Sequence, residues 1–176
     1  MKGLFSTFAK YNEEADRAIL SILDTLSNDE REKERGSFYG SLSGLVRHLL
    51  GGTVFFLGMF KAAVPGNAAV EKALSPLEGV DIPKDTLDES QWKSLTGLFS
   101  AADSALVNFI SALGDDDFKA PVELNWYGGN PASVPLYFML QQLVAHGTHH
   151  RGQISQILDE LKIDNDYSGI NIQFLI

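Results

Sequence analysis

The chain has 176 residues, 44% of them hydrophobic, which is enough for a single domain over 1–176 with a sizeable core and short of two ordinary domains. Its 23 carboxylates against 14 Lys and Arg leave a formal charge of −9, a sign that repels phosphate backbones and anionic headgroups and so argues against nucleic-acid and membrane-surface roles. The absence of cysteine excludes disulfides, thiolate zinc sites, iron–sulfur clusters and a cysteine nucleophile together.

The first predicted element runs through Leu4, Phe8, Tyr11, Ala15, Ala18 and Ile22 at spacings of three and four, the period of a helix facing a core, and stops in the charged turn Ser27 to Gly36. A second helix carries Phe38, Leu42, Leu45, Leu49, Gly52, Phe56 and Met59 and is broken near Val64-Pro65-Gly66. A third begins after the capping residues Asp88 or Ser90 and carries Trp92, Leu95, Phe99, Ala102, Leu106, Phe109 and Leu113. The fourth starts near Pro135 and carries Leu136, Leu140, Leu143, Gly147, His150, Ile154, Ile157 and Leu161. Four such helices predict an all-α protein, a four-helix bundle. The connection from about 64 to 89 is long enough to run the length of the bundle and leave helices two and three parallel. Residues 114–134 alternate briefly around Gly128-Gly129, as a small hairpin over one bundle end does.

No membrane span is expected, because the most apolar run is the twelve residues between His48 and Lys61 and a span needs roughly eighteen or more. The opening MKGLFSTFAKYNEEAD turns acidic too soon for a signal peptide. The expectation is a cytoplasmic protein.

Three of the four histidines lie at 146, 149 and 150, and the fourth is His48. At about 100° per residue, with Leu143 as the centre of the core face, His150 falls about 20° away, His146 about 60° on the same side and His149 about 120° away. With Leu45 as centre, His48 falls about 60° off on helix two. His48, His146 and His150 can therefore point into one interior while His149 looks outward. That set suits a divalent ion, since neutral imidazole is the commonest protein ligand for zinc and its relatives. Spacing alone leaves the alternative of satisfied core histidines level with the metal. No Asp or Glu occurs from 35 to 70 or from 124 to 158, which fits a neutral buried centre and also fits ordinary core helices. Three imidazoles would leave an open position for water or substrate, the pattern of a catalytic site.

The stretches RGSFYGSLSGLVRHLLGG (35–52), YNEEAD (11–16) and HGTHHRGQI (146–154) resemble the DinB/YfiT-like family, the damage-inducible DinB group in particular. The resemblance implies a four-helix bundle of up-down-down-up arrangement, often dimeric, with His48, His146 and His150 binding nickel or zinc. Many relatives have Asp where this chain has Thr53, Trp where it has Glu14 and Asn where it has Asp16, positions that shape the cavity. The resemblance includes thiol S-transferases using low-molecular-weight thiols such as bacillithiol, mycothiol-dependent isomerases, and many members of unknown activity.

A three-histidine centre can lower the pKa of a bound water or bind a thiol as thiolate. A hydrolase would want a general base, and only Glu13, Glu14 and Asp16 on helix one or Asp103 on helix three are available. A chain without cysteine suits a thiol supplied by a small molecule, so the expectation is a metal-dependent thiol S-transferase, with a metal-dependent hydrolase or a non-catalytic metal- or ligand-binding stress-response protein as alternatives. Tyr11, Asn12 and Thr53 are the candidate pocket residues, each with an ordinary packing role as the alternative. Gly51, Gly52, Gly147 and Gly152 leave room for a ligand or for close helix packing. Arg151 and Gln153 lie off the core face and are expected to be structural or interfacial. Dinucleotide, P-loop and Ser-His-Asp signatures are absent. Helix two also carries Val46, Leu50, Val54 and Leu57 beyond its core stripe, and a helix apolar almost all round is buried on more than one side, by the 64–89 connection or by a second subunit. A homodimer through helix two is expected.

Overall fold

The computed structural model describes residues 1–125 and 131–175. It is mostly helical, with α1 (Lys2–Leu23), α2 (Asn28–Glu32), α3 (Leu42–Ala63), α4 (Ala68–Leu74), α5 (Glu89–Ala112), a hairpin of β1 (Pro121–Leu124) and β2 (Ala132–Pro135), and α6 (Leu136–Glu160). The four expected helices are α1, α3, α5 and α6, and α1 and α3 each pack on both α5 and α6. Lys2 at the start of α1 donates to the carbonyls of Ser111 and Leu113 at the end of α5. At the opposite end the Trp92 indole donates to Asp24, 2.7 Å away. Phe60 near the end of α3 stacks on Phe109 near the end of α5, with ring centroids 5.8 Å apart.

α5 follows its sequence pattern residue by residue, with Trp92, Leu95, Phe99, Ala102, Leu106, Phe109 and Leu113 all buried. Its start is fixed by a capping box in which the Asp88 carboxylate accepts from the Gln91 N–H and the Gln91 side chain accepts from the Asp88 N–H, an arrangement worth about 0.5–2 kcal/mol. Arg31, on α2, closes this end of the core. Its guanidinium sits 4.7 Å from the Trp92 ring and donates to Glu89 and to the carbonyls of Leu23 and Leu26.

Two helices depart from the expectation. The buried face of α1 includes Phe5, Ala9, Asn12, Asp16, Ile19 and Leu23, mostly one residue on from the expected Leu4, Phe8, Tyr11, Ala15, Ala18 and Ile22; of those Ala15 is buried as expected, and Leu4 is largely exposed. An apolar count cannot see this rotation, because two of the positions facing the core are polar. α3 begins at Leu42, after Ser41 caps it by accepting from the Gly44 N–H, so Phe38 lies outside the helix and is 94% exposed.

The 64–89 connection contains α4, whose start is held by the Asn67 side chain accepting from the N–H groups of Ala69 and Val70. It contributes Val70, Leu74, Leu77 and Leu87 to the core, and Val46, Leu50 and Leu57 of α3 are buried within the single chain. The apolar girth of α3, from which a second subunit was expected, is therefore covered largely by the chain itself. By length and mean hydropathy α3 and α5 could each cross a membrane, yet 50% and 44% of those windows are buried inside the protein, as in core helices. The expected hairpin is present, with Val122 opposite Val134 and Leu124 opposite Ala132; Gly128-Gly129 lies outside the described residues.

Candidate metal centre

α3 and α6 meet where each carries histidine. The ring of His150 lies 4.5 Å from those of His48 and His146, and the Nε2 atoms of His48 and His146 are 2.9 Å apart. One nitrogen from each of the three lies within 4.8 Å of the others. His149 is exposed, on the outward side of α6. The helical-wheel assignment of all four histidines thus matches their placement.

The close approach depends on glycine. A Cβ on Gly52, one turn after His48, would lie 2.6 Å from Cε1 of His146, well inside van der Waals contact, so only glycine lets that ring reach His48. Gly44 does the same for the preceding loop, because a Cβ there would collide with the backbone oxygen of Tyr39. That loop turns tightly through Gly36 and Gly40, both at positive φ, with Arg35 N–H donating to the Gly40 carbonyl. The turn lays the Tyr39 ring on His48, centroids 4.0 Å apart, and edge-on to His150 at 5.2 Å. The Tyr39 hydroxyl stands 3.0 Å from Nε2 of His48.

Nδ1 of His150 is 2.6 Å from Oε1 of Gln153. An amide oxygen can only accept, so Nδ1 carries the proton and Nε2 keeps its lone pair, the tautomer control usual beside metals. Burial, followed by the charges the neighbouring imidazoles would carry, lowers the pKa of His48 and, to about 4, that of His146. Burial also lowers His150, against the bond to Gln153. Three converging imidazoles kept neutral, with no carboxylate among them, are a donor set that fits a divalent ion such as zinc or nickel.

A family model of the DinB family matches residues 1–161. The chain belongs to the DinB family. Searches of the curated proteins and of the solved structures found no match. In this DinB protein a hollow of about 650 Å³ opens beside the histidines, lined by His48 and His146 together with Tyr39, Arg47, Phe55, Phe56, Ile82 and Lys84 among others.

Of the other residues singled out from sequence, Asn12 and Tyr11 lie against Arg151. The Asn12 Oδ1 accepts from that guanidinium at 2.6 Å and the Tyr11 ring faces it at 5.2 Å. Thr53 is buried on α3 and is not among the residues lining the hollow. Arg151, expected off the core face, is 2% exposed and paired with Asp16. The reading by sequence missed Tyr39 and the role of Gln153. The second was discoverable, since a glutamine three residues after a ligand on the same helix face is within reach of its ring.

Coordination requires neutral imidazole, and protons compete only below the pKa of each ring. A ring at the ordinary value of about 6.5 would begin to yield just below it; the lowered values here move that loss to the acid side. Metal affinity is expected to fall on acidification later than ordinary histidines would allow, and to be lost towards about pH 4, where His146 takes up a proton. The metal-free protein has the same sign, with stability fully present above the unfolded pKa and lost as the pH falls through the folded ones. Competitive titration with a chromophoric chelator at several pH values checks this, and a loss as steep just below about pH 6.5 as unperturbed histidines would give contradicts it.

Proposed function

We propose that this protein is a metal-dependent enzyme of the cytoplasm in which His48, His146 and His150 hold nickel or zinc and a low-molecular-weight thiol is transferred to an electrophile. The observation that carries the reading is the hollow beside His48 and His146, whose lining contains no carboxylate. A bound divalent cation would supply a Lewis acid that lowers the pKa of a thiol, making the thiolate available as nucleophile. The sulfur forms a bond to the electrophile's carbon, the leaving group departs with the bonding pair, and the thiol proton goes to solvent. The chain's own contribution is to keep the imidazoles neutral, to orient His150 through Gln153, and to offer the Tyr39 hydroxyl as a hydrogen-bond donor at the rim of the centre.

The carboxylates a hydrolase would need are committed elsewhere. Asp16 is bonded to Arg151 and Asn12, Asp103 is buried, Glu13 accepts from Ser104, and Glu14 pairs with Arg17 on the surface. One observation favours the second reading, a non-catalytic metal-binding stress protein: the Tyr39 oxygen near Nε2 of His48 could close the site as a fourth donor. Protein loaded with nickel or zinc should join a small thiol to a bimane electrophile, with thioether formation followed by fluorescence. Turnover lost in His48→Ala supports transfer, whereas tight metal binding with no turnover for any of a panel of thiols supports the storage or sensing reading.

The contacts between helix ends support an up-down-down-up four-helix bundle: α1 runs opposite to α5, α5 alongside α3, and α3 opposite to α6. Pairing of two chains is proposed on the family resemblance, and it would use surfaces other than Val46, Leu50 and Leu57. Sedimentation at micromolar concentration should show about twice the 19.3 kDa chain mass, and a monomer would end that proposal.

A further inference from the structure

The lining of the hollow beside the histidines combines three chemistries: the imidazoles of His48 and His146, the apolar Phe55, Phe56, Ile82 and Pro83, and the charged Arg47 and Lys84. In a chain of net charge −9, a lining with two cations and no carboxylate departs from the surface as a whole. Arg47 is fixed in place: one of its terminal nitrogens donates to the backbone carbonyls of Lys84 and Asp85. Those acceptors are neutral, so they orient the guanidinium without cancelling its charge, and neither Arg47 nor Lys84 takes part in an ion pair among the described residues. Asp81 and Asp85 line a neighbouring hollow that shares Ile82, Pro83 and Lys84.

From this arrangement we propose that the hollow binds a small organic anion with an apolar body, its carboxylate held by Arg47 and Lys84 and its body lying on Phe55, Phe56 and Ile82. The volume falls within the range of roughly 300–1,000 Å³ usual for small-molecule sites, which combine an apolar lining with a few fixed polar groups. A guanidinium with donors to spare is the group best shaped to take a carboxylate. The inference rests on the hollow being the ligand site of the proposed enzyme and names the class of molecule it admits. It requires no particular reaction.

Calorimetric titration of metal-loaded protein with 4-phenylbutyrate, 4-phenylbutanol and 4-phenylbutylamine tests it, because the three share a body and differ in the head. The carboxylate is expected to bind about tenfold or more tighter than the alcohol, and the amine weakest, as a hydrogen-bonded charge at a partly exposed site implies. Arg47→Gln should remove most of that preference while leaving the alcohol's affinity and the metal content unchanged. Lys84→Gln, which leaves the Arg47 tether in place, should remove about threefold and keeps the test valid if the first variant is unstable. Repeating the series on metal-free His48→Ala separates the sources: a preference that survives there belongs to Arg47 and Lys84 and stands even if thiol transfer fails. Equal binding of acid, alcohol and amine would overturn the proposal. So would an acid preference that ignores Arg47→Gln and Lys84→Gln but vanishes with the metal, since the carboxylate would then sit on the ion.

Discussion

Replacing His48, His146 or His150 with alanine is expected to strip the metal from protein that otherwise purifies, without a histidine tag, with about one divalent ion per chain; His149→Ala keeps it. The first three converge within 4.8 Å, whereas His149 is turned to solvent. Removing one of three ligands should cost more than the roughly 10–100-fold that follows loss of an outer partner, and Gln153→Leu, which frees Nδ1 of His150, supplies that smaller loss for comparison. Gly52→Ala is the backbone counterpart. The methyl group would drive the His146 ring out of position, so affinity should fall although no ligand is changed. Elemental analysis together with chelator competition reads all six proteins. Retention by His150→Ala together with loss by His149→Ala would falsify the assignment.

Why the ligands could be read from sequence is plain in the packing. α5 and α6 bury the faces that their spacing of three and four marks, so a wheel drawn on α6 with Leu143 at the centre puts His146 and His150 inside and His149 outside. α1 misled for the opposite reason. Its inner face includes Asn12 and Asp16, which a hydrophobic pattern assigns to solvent, and their burial makes sense only with a cation arriving from α6, 135 residues further along from Asp16. No local pattern contains that information.

Tyr39 was illegible for a related reason. The sequence continues an apolar period through Phe38, and only the Ser41 cap and the two glycines at positive φ show that the helix has not begun. A loop residue reaches His48 because a turn folds it back, and a turn has no period from which to project a direction. The cationic side of the hollow is likewise built by tertiary contact, as Lys84 lies on a connection that the sequence marks only as long. Chemistry borne on regular helices was legible, and chemistry delivered by loops or by buried ion pairs was not.

Arg151→Met is expected to cost about 3–5 kcal/mol of folding stability, the loss typical when one partner of a buried pair is left uncompensated. The guanidinium is 2% exposed and donates to Asn12 and to Asp16, and Asn12 in turn donates to Asp16 at 3.1 Å. Asp103, buried on α5, stands beside the same cluster, close enough to Asp16 for the two charges to oppose each other. Two carboxyl groups facing one cation cannot both be ionised cheaply. Burial, and then the charge on Asp16, holds the Asp103 carboxyl well above the usual carboxylate range, and burial raises Asp16 too, against the Arg151 guanidinium. A carboxyl whose folded pKa is raised contributes stability that is present below its unfolded pKa and is lost as the pH rises through the folded one. Asp103→Asn keeps the shape without the titration, so it should cost under about 1 kcal/mol at neutral pH and flatten the decline in stability that the native protein shows between the unfolded and folded pKa of Asp103. Urea denaturation across the pH range distinguishes the pair. If Asp103→Asn were as damaging as Arg151→Met, with the slope of stability against pH unchanged, the raised Asp103 carboxyl would not be what sets that slope, and this account of the cluster would have to be abandoned.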